Sequence, residues 1–275
     1  MYPDALPFLT CPRHPDSPLV LTRGARSAAD GAILRGRLCC PTCRSSYPIT
    51  DGILDMLGPL SFPATPTQWT NALAPTAWGY ERIWRPRALT LLSGEALGYE
   101  RELPLITGLS APERGGLFVD VACSNGLYAR AIARARAGDR GPTVGVDHSF
   151  AMLRQARSFA VRERLRISYV RAKAQALPLA AGSATGLAMG GSLNEIGDVG
   201  RALAELKRTL GPGGRCVMMG LVRAETGAGQ ALQMVLGNGG IAFWTLAELN
   251  RHYATAGLRL RAQWRYGVVV FSVLT

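Results

Sequence analysis

Lysine is almost missing from this chain: of the 31 basic residues, only Lys173 and Lys207 are not arginine. With abundant alanine and glycine, that points to coding bias in a GC-rich genome rather than to a specialised surface. The arginines are scattered, with no block and no interleaved aromatics, which counts against a usual nucleic-acid surface. The net charge of +12 leaves an anionic substrate or partner open. Long apolar runs are missing too. "GVVVFSVL", near the C-terminus, is far too short to span a bilayer as a helix. The start, "MYPDALPFLTCP", has no basic region followed by an apolar stretch, so no signal peptide is read and a cytoplasmic location is expected. There are no internal repeats and no heptads. Histidine is scarce, with three in all, so candidates for proton chemistry are few.

What is present divides into three sections. Residues 1–58 are rich in Pro, Gly and Cys, with short strand-like pieces ("LVLT", "AILRGRL", "YPI"). Residues 59–112 open on a Pro-rich linker and continue with two expected helices, around "AWGYERIWRPRALTLL" and "GYERELPLITGL". In residues 113–275, five strands ("GLFVDVA", "TVGVD", "RISYVRA", "ATGLAMG", "RCVMMGLV") alternate with helices, one of them stopped by "GPGG". The chain ends in a helix and two β-rich runs that can pair as a hairpin. The spacing predicts an α/β fold: a Rossmann-like doubly wound sheet with a C-terminal antiparallel hairpin, preceded by a small zinc-ribbon-like β module.

The stretch "FVDVACSNG" is the expected cofactor loop. It follows the first core strand, where ligands of doubly wound sheets bind. Its small residues Ala122, Cys123, Ser124, Asn125 and Gly126 let backbone approach a ligand. Asp147 ends the second strand, placed to accept hydrogen bonds from both hydroxyls of a ribose. S-adenosylmethionine carries an ammonium and no phosphate. Asp120, closing the first strand, is a good partner for that ammonium, and the terminal hairpin argues for the same cofactor.

Four motifs in order resemble a class I S-adenosylmethionine-dependent methyltransferase of the ubiquinone/menaquinone-biosynthesis type. They are "VDVACSNG", "VGVDHSFAMLRQA", "RAKAQALPLAAGSATGLAMG" and "ALAELKRTLGPGGR", and the resemblance covers residues 115–260. It implies an S-adenosylmethionine site with departures. Ala122 and Ser124 replace glycines, and restoring them frees backbone at a cost of roughly 0.5–1 kcal/mol per site while opening space. Lys173 stands where the family has an aspartate for the adenine amino group, so adenine recognition passes to backbone near Ala174 and stacking on His148. Thr185 stands where the family has an acid.

Cys11-Pro-Arg-His14 and Cys40-Pro-Thr-Cys43 form two knuckles, giving four ligands for a structural, tetrahedral zinc. Cys39 is a spare thiol or an alternative ligand. With "YPITDGILDML", the module resembles the small zinc-ribbon proteins that activate methyltransferases, and the N-terminal extensions of some methyltransferases.

Methyl transfer depends chiefly on positioning, and a base is needed only for a hydroxyl or an acidic carbon. Glu195 and Asn194, after the fourth strand, are the base candidates. His148 suits stacking, and His252 suits a helix surface. Tyr80, Trp84 and Tyr99, with "GQALQMVLGNGGIAFW", are expected to wall an apolar acceptor pocket. The leading reading is a methyltransferase for a small lipophilic or aromatic molecule. Alternatives are an RNA base methyltransferase of the rRNA-guanine type and a degenerate cofactor-binding or activator scaffold. Oligomeric state is not legible.

Overall fold

The computed structural model describes residues 1–58, 98–136, 138 and 140–275. The helix expected over 77–92, with Tyr80 and Trp84, and nearly all of the Pro-rich linker lie outside the described residues.

Five strands form the parallel core: β8 (Leu117–Val121), β9 (Thr143–Asp147), β10 (Ile167–Arg171), β11 (Ala184–Gly190) and β12 (Leu210–Leu221). Every residue of β8 and β9 is buried, which explains their unbroken apolar character. The spatial order is β12-β11-β8-β9-β10, so strand order reverses between β8 and β11. That switch point is where a doubly wound sheet opens a crevice for ligands. The expected hairpin forms as β13 (Leu260–Tyr266) and β14 (Val269–Leu274), and β14 pairs antiparallel with β12.

The helices in the described residues are α1 (Tyr99–Ser110), α2 (Leu127–Ala135), α3 (Phe150–Arg162), α4 (Val199–Thr209), α5 (Gly227–Gly237) and α6 (Leu246–Thr255). Local chemistry starts several of them. Ser149 caps α3, Asp198 caps α4, and Thr245 forms a capping box with Glu248 at α6. "GPGG" does end α4, but its glycines already belong to β12. The expected apolar wall after the fifth strand becomes α5, and it is turned inside out. Its one buried residue is Gln233, whose amide bonds the N–H of Ala224 (2.8 Å) and the carbonyl of Val222 (2.9 Å). Leu232, Met234 and Val235 stay exposed. Among the described residues, no helix is long and apolar enough to cross a membrane.

The N-terminal module contributes β1 (Thr10–Cys11), β2 (His14–Pro18), β3 (Val20–Leu21), β4 (Arg26–Ser27), β5 (Ile33–Cys39), β6 (Ser46–Thr50) and β7 (Ile53–Asp55). It does not stand apart from the core. β7 pairs parallel with β10, with Tyr169 beside Ile53 and Arg171 beside Asp55, so one twelve-stranded sheet runs through both. Arg171 fastens the seam through both carboxylate oxygens of Asp55 (3.1 and 3.3 Å) and the carbonyl of Gly58 (2.9 Å). A second seam joins Thr10 N–H to Pro178 O (3.0 Å) and Ala180 N–H to Phe8 O (2.9 Å). Leu9, Leu38 and Leu54 share one apolar cluster with Val144, Val170 and Leu179.

Candidate functional site

Strand β8 delivers Asp120 to the crevice, where it is 2% exposed. Its Oδ2 accepts the N–H of Ala129 at 2.8 Å, satisfying one of the orphan donors in the first turn of α2. The loop between them keeps the backbone of the glycine pattern with only the last of its glycines. Ala122 has φ 54°, Ser124 φ 50° and Gly126 φ 78°, all left-handed. For alanine and serine that conformation costs about 1–2 kcal/mol each. The sequence-based sign for restoring glycine is thereby reversed: glycine at 122 or 124 relieves strain. At 126 only glycine fits, because a Cβ would lie 2.9 Å from Tyr169 Oη and 3.1 Å from Ala156 Cβ.

Asp147, at the end of β9, is 6% exposed. Its Oδ2 accepts Ser124 N–H and its Oδ1 accepts Ser149 N–H, both at 2.8 Å. Each oxygen retains a second lone pair for a ligand hydroxyl. His148 Nδ1 lies 3.5 Å from Asp147 Oδ1, and Arg171 Nε holds the His148 carbonyl at 3.0 Å. Lys173 is exposed and Ala174 is buried beyond β10, on the same side. Cys123 is buried, and burial, reinforced by the charges of Asp120 and Asp147, pushes its thiol well up. It is therefore a neutral packing group.

The crevice is lined by Asp120, Ala122, Cys123, Ser124, Asn125, Leu127, Tyr128, Gly190 and Ser192, and encloses about 20 Å³. One buried group there lacks a partner among the described residues: the side-chain nitrogen of Asn125, a residue 1% exposed. A buried amide without an acceptor costs about 1–3 kcal/mol, and a ligand carboxylate would satisfy it. The donor and acceptor set thus fits the amino-acid end and ribose of S-adenosylmethionine: Asp120 for the ammonium, Asn125 for the carboxylate, Asp147 for the hydroxyls.

The expected base positions turn out differently. Asn194 is a clamp: its nitrogen donates to Leu221 O (2.8 Å) and Ala242 O (2.6 Å), and its oxygen accepts Leu221 N–H (2.9 Å). Its polar atoms are spent on backbone, so the structure does not support a role in proton transfer. Glu195 closes the turn after β11, half-buried, with its N–H on Ser192 O. His252 packs edge-on against Trp244, with ring centroids 5.3 Å apart. Tyr99 opens α1 and packs in the cluster containing Tyr128 and Phe271.

Sequence reasoning missed one pair beside the crevice. Glu102 of α1 is fully buried and accepts a hydrogen bond from the hydroxyl of Tyr128. Periodicity held the signal, since Glu102, Ile106 and Ser110 recur every four residues and form the buried face of α1.

In the module, Cys11, His14, Cys40 and Cys43 bring one ligand atom each within 4.8 Å of all the others. Cys11 Sγ lies 3.8 Å from His14 Nδ1 and from Cys43 Sγ, and Cys40 Sγ lies 3.9 Å from His14 Nδ1. Tetrahedral zinc at ordinary bond lengths sets such ligands ~3.5–3.8 Å apart. Burial raises the Cys40 thiol, but hydrogen bonds with the Cys43 N–H and Ser17 outweigh it and bring it to about 5. Hydrogen bonds with the Ser45 hydroxyl and N–H hold Cys43 below the usual thiol range. Thiolates are what a metal needs. Cys39 is outside the quartet, and His14 completes it.

Comparison with known proteins agrees with this geometry. Residues 119–218 match the methyltransferase domain family, and residues 3–52 match the Trm112p-like protein family. An uncharacterized chloroplastic methyltransferase of Arabidopsis thaliana, At2g41040, is 28% identical over 195 residues, covering 66% of this chain and 53% of that protein. A 2-phytyl-1,4-naphtoquinone methyltransferase of Thermosynechococcus vestitus is 29% identical over 157 residues, covering 57% of this chain and 61% of that one. The chain thus spans about half to three-fifths of these relatives' length. Among solved structures, the complex between the Haloferax volcanii Trm112 methyltransferase activator and a methyltransferase aligns at TM-score 0.54 and 18% identity, covering 72% of this chain and 96% of the matched one. That likeness shows the fold. The chain carries a methyltransferase domain, joined in one polypeptide and one sheet to a Trm112p-like module.

Proposed function

We propose that this chain is an S-adenosylmethionine-dependent methyltransferase acting on a small lipophilic, aromatic acceptor, with a structural zinc in its N-terminal module. The observation that carries this reading is the left-handed backbone at Ala122 and Ser124. Strain of that size persists where the surrounding structure over-determines the conformation, and such residues cluster at ligand sites. Here two such residues stand beside the buried Asn125 amide.

Bound S-adenosylmethionine supplies an electrophilic methyl group on a sulfonium. The chain's own residues orient it. Asp120 and Asn125 hold the amino-acid end, Asp147 the ribose hydroxyls, and His148 with the backbone near Ala174 the adenine side. Positioning of the acceptor in line with the methyl–sulfur bond then supplies most of the rate. In the module, Cys11, His14, Cys40 and Cys43 fill all four positions of a zinc ion, which leaves none for catalysis.

The lipophilic acceptor rests on two supports. The helix that follows β12, α5, leaves the apolar residues Leu232, Met234 and Val235 exposed. The naphtoquinone named for the cyanobacterial relatives is a lipid-tailed aromatic of the kind such a surface suits. The test is methyl transfer from labelled cofactor to the reduced form of 2-phytyl-1,4-naphthoquinone and to its short-chain analogues. A labelled, organic-soluble product is expected. No transfer to any of these, with full cofactor binding, would remove the acceptor class.

A second reading, RNA methylation, has one observation in its favour. A groove of about 660 Å³ is lined by Arg134, Arg136, Arg164 and Arg166. Three of these are already engaged: Arg134 with Glu163, Arg166 with Asp4, and Arg136 with backbone carbonyls including Arg140 O. The groove also meets the start of β9, the sheet edge opposite the cofactor loop. Salt-dependent retention on RNA decides this reading.

A further inference from the structure

Helix α5 ties both of its glutamines to the body of the protein and turns three large apolar side chains outward, the reverse of an ordinary surface helix. We propose that this outer face docks on an anionic phospholipid bilayer, lying in its surface, and that the lipid-tailed acceptor reaches the crevice from there. The supply of acceptor rests on the methyltransferase reading; the docking does not.

The helix is pinned by its polar side chains. Besides the two bonds of Gln233, Gln230 Nε2 donates to Ala224 O at 3.1 Å. With 3.6 residues per turn, Leu232 and Met234 flank Gln233 about 100° to either side, and Val235 lies nearly opposite it. Leu232 is 41% exposed, Met234 73% and Val235 67%. No other helix among the described residues exposes more than one large apolar side chain. From Thr226 to Ala247 no residue is charged, so nothing on the helix itself opposes entry into an apolar phase. A cluster of this kind marks an interaction surface.

Charge decides what the surface fits. A second copy of the chain would bring its own +12 and be repelled, whereas an anionic bilayer is attracted by the same charge. Beside α5 the charges balance: Arg265 pairs with Glu225 at 2.7 Å and Arg223 with Glu248 at 3.6 Å. Attraction therefore comes from the molecule as a whole, and anchoring from the apolar face. The 11 residues of α5 are about 16 Å long against a hydrocarbon core of about 30 Å, so the helix lies on the bilayer and does not cross it. Placement links this face to the crevice. Gln233 holds Val222, which follows the C-terminal end of β12. Asn194 bonds Leu221 and Ala242, on either side of α5 in the chain, and shares a turn with Ser192, which lines the crevice. Docking face and crevice thus share the C-terminal edge of the sheet. An acceptor held in lipid by its tail presents its ring at that edge.

The probes are vesicles of phosphatidylcholine, with and without phosphatidylglycerol. Wild type should co-sediment with the anionic vesicles more strongly than with the neutral ones, and the difference should fade as salt rises. Hydrogen peroxide should oxidise Met234 readily in the free protein, and anionic vesicles should protect it, as read by peptide mass spectrometry. The double variant Met234→Glu/Val235→Glu changes exposed positions alone. It should keep the melting temperature and the S-adenosylmethionine affinity of wild type, and lose vesicle affinity by about tenfold or more. Its methyl transfer to reduced 2-phytyl-1,4-naphthoquinone carried in anionic vesicles should fall by a similar factor, while transfer to a water-soluble short-chain analogue is unchanged. No sedimentation with either vesicle, unchanged vesicle affinity in the double variant, or Met234 already shielded in the free protein, by its own chain or a second copy, overturns the docking surface. An equal loss of transfer to vesicle-borne and soluble acceptors overturns supply from the bilayer. A wild type that docks yet methylates neither acceptor overturns the acceptor reading and leaves the docking surface in place.

Discussion

Asp147 accepts the backbone N–H of Ser124 at 2.8 Å. The acid that ends the second core strand thus fixes the loop that follows the first. Binding a ribose and shaping the methionine site are two tasks of one carboxylate. Asp147→Ala should weaken S-adenosylmethionine by about 2 kcal/mol or more, a factor of tens, because it removes ribose acceptors and releases Ser124 together. Titration calorimetry measures this, and an unchanged dissociation constant would mean that the cofactor binds elsewhere.

Restoring glycine at 122 and 124 should stabilise the protein. Each replacement relieves about 1–2 kcal/mol of left-handed strain and gives back roughly 0.5–1 kcal/mol to unfolded-chain entropy. The double variant Ala122→Gly/Ser124→Gly is expected to melt a few degrees higher and to bind cofactor more tightly. A lower melting temperature would show that the loop is not strained as its φ angles indicate.

Asn125→Ala separates stability from binding. The buried side-chain nitrogen has no partner among the described residues, so its removal should leave the melting temperature unchanged or raised. Cofactor affinity should fall about tenfold, as one hydrogen bond to a charged group is lost. A large destabilisation with unchanged affinity would show that the amide serves the fold.

Arg171 touches both the module and the adenine side. Arg171→Ala frees Asp55, Gly58 O and the His148 carbonyl, whereas Asp55→Ala leaves the Arg171–His148 bond in place. Hydrogen exchange should rise along β7 and β10 in both variants, and cofactor affinity should fall in Arg171→Ala alone. Equal affinity in the two would show that the module seam and the adenine side are independent.

Purified protein should carry close to one equivalent of zinc. Cys40→Ala or Cys43→Ala should lose it and destabilise residues 1–58. Elemental analysis that finds no metal in carefully handled wild type would withdraw the zinc.

The parallel core, the cofactor loop, the metal quartet and the terminal hairpin were legible because each is written in a local pattern. Asp120 and Asp147 end apolar runs, and the cysteines sit in short knuckles. The missing parts depend on distance or exception. β7 is three residues long, too short for alternation to announce that it joins β10. Asn194 and Glu102 are polar residues buried by partners far along the chain. Helix α5 inverts the usual rule, with Gln233 inside and Met234 outside, because two backbone groups near Val222 needed a side chain to bond.

The seam between β7 and β10 also bears on how the chain is made. Asp55 and Arg171 are 116 residues apart. At ~5–20 residues per second, a ribosome needs roughly 6–23 seconds to cover that distance. For that interval β7 is an open sheet edge, the kind of surface that recruits other chains. The module emerges first and is completed late, so its folding waits on the third core strand. Contacts this distant in sequence slow folding, and the product is a protein whose two parts are expected to fold and unfold as one.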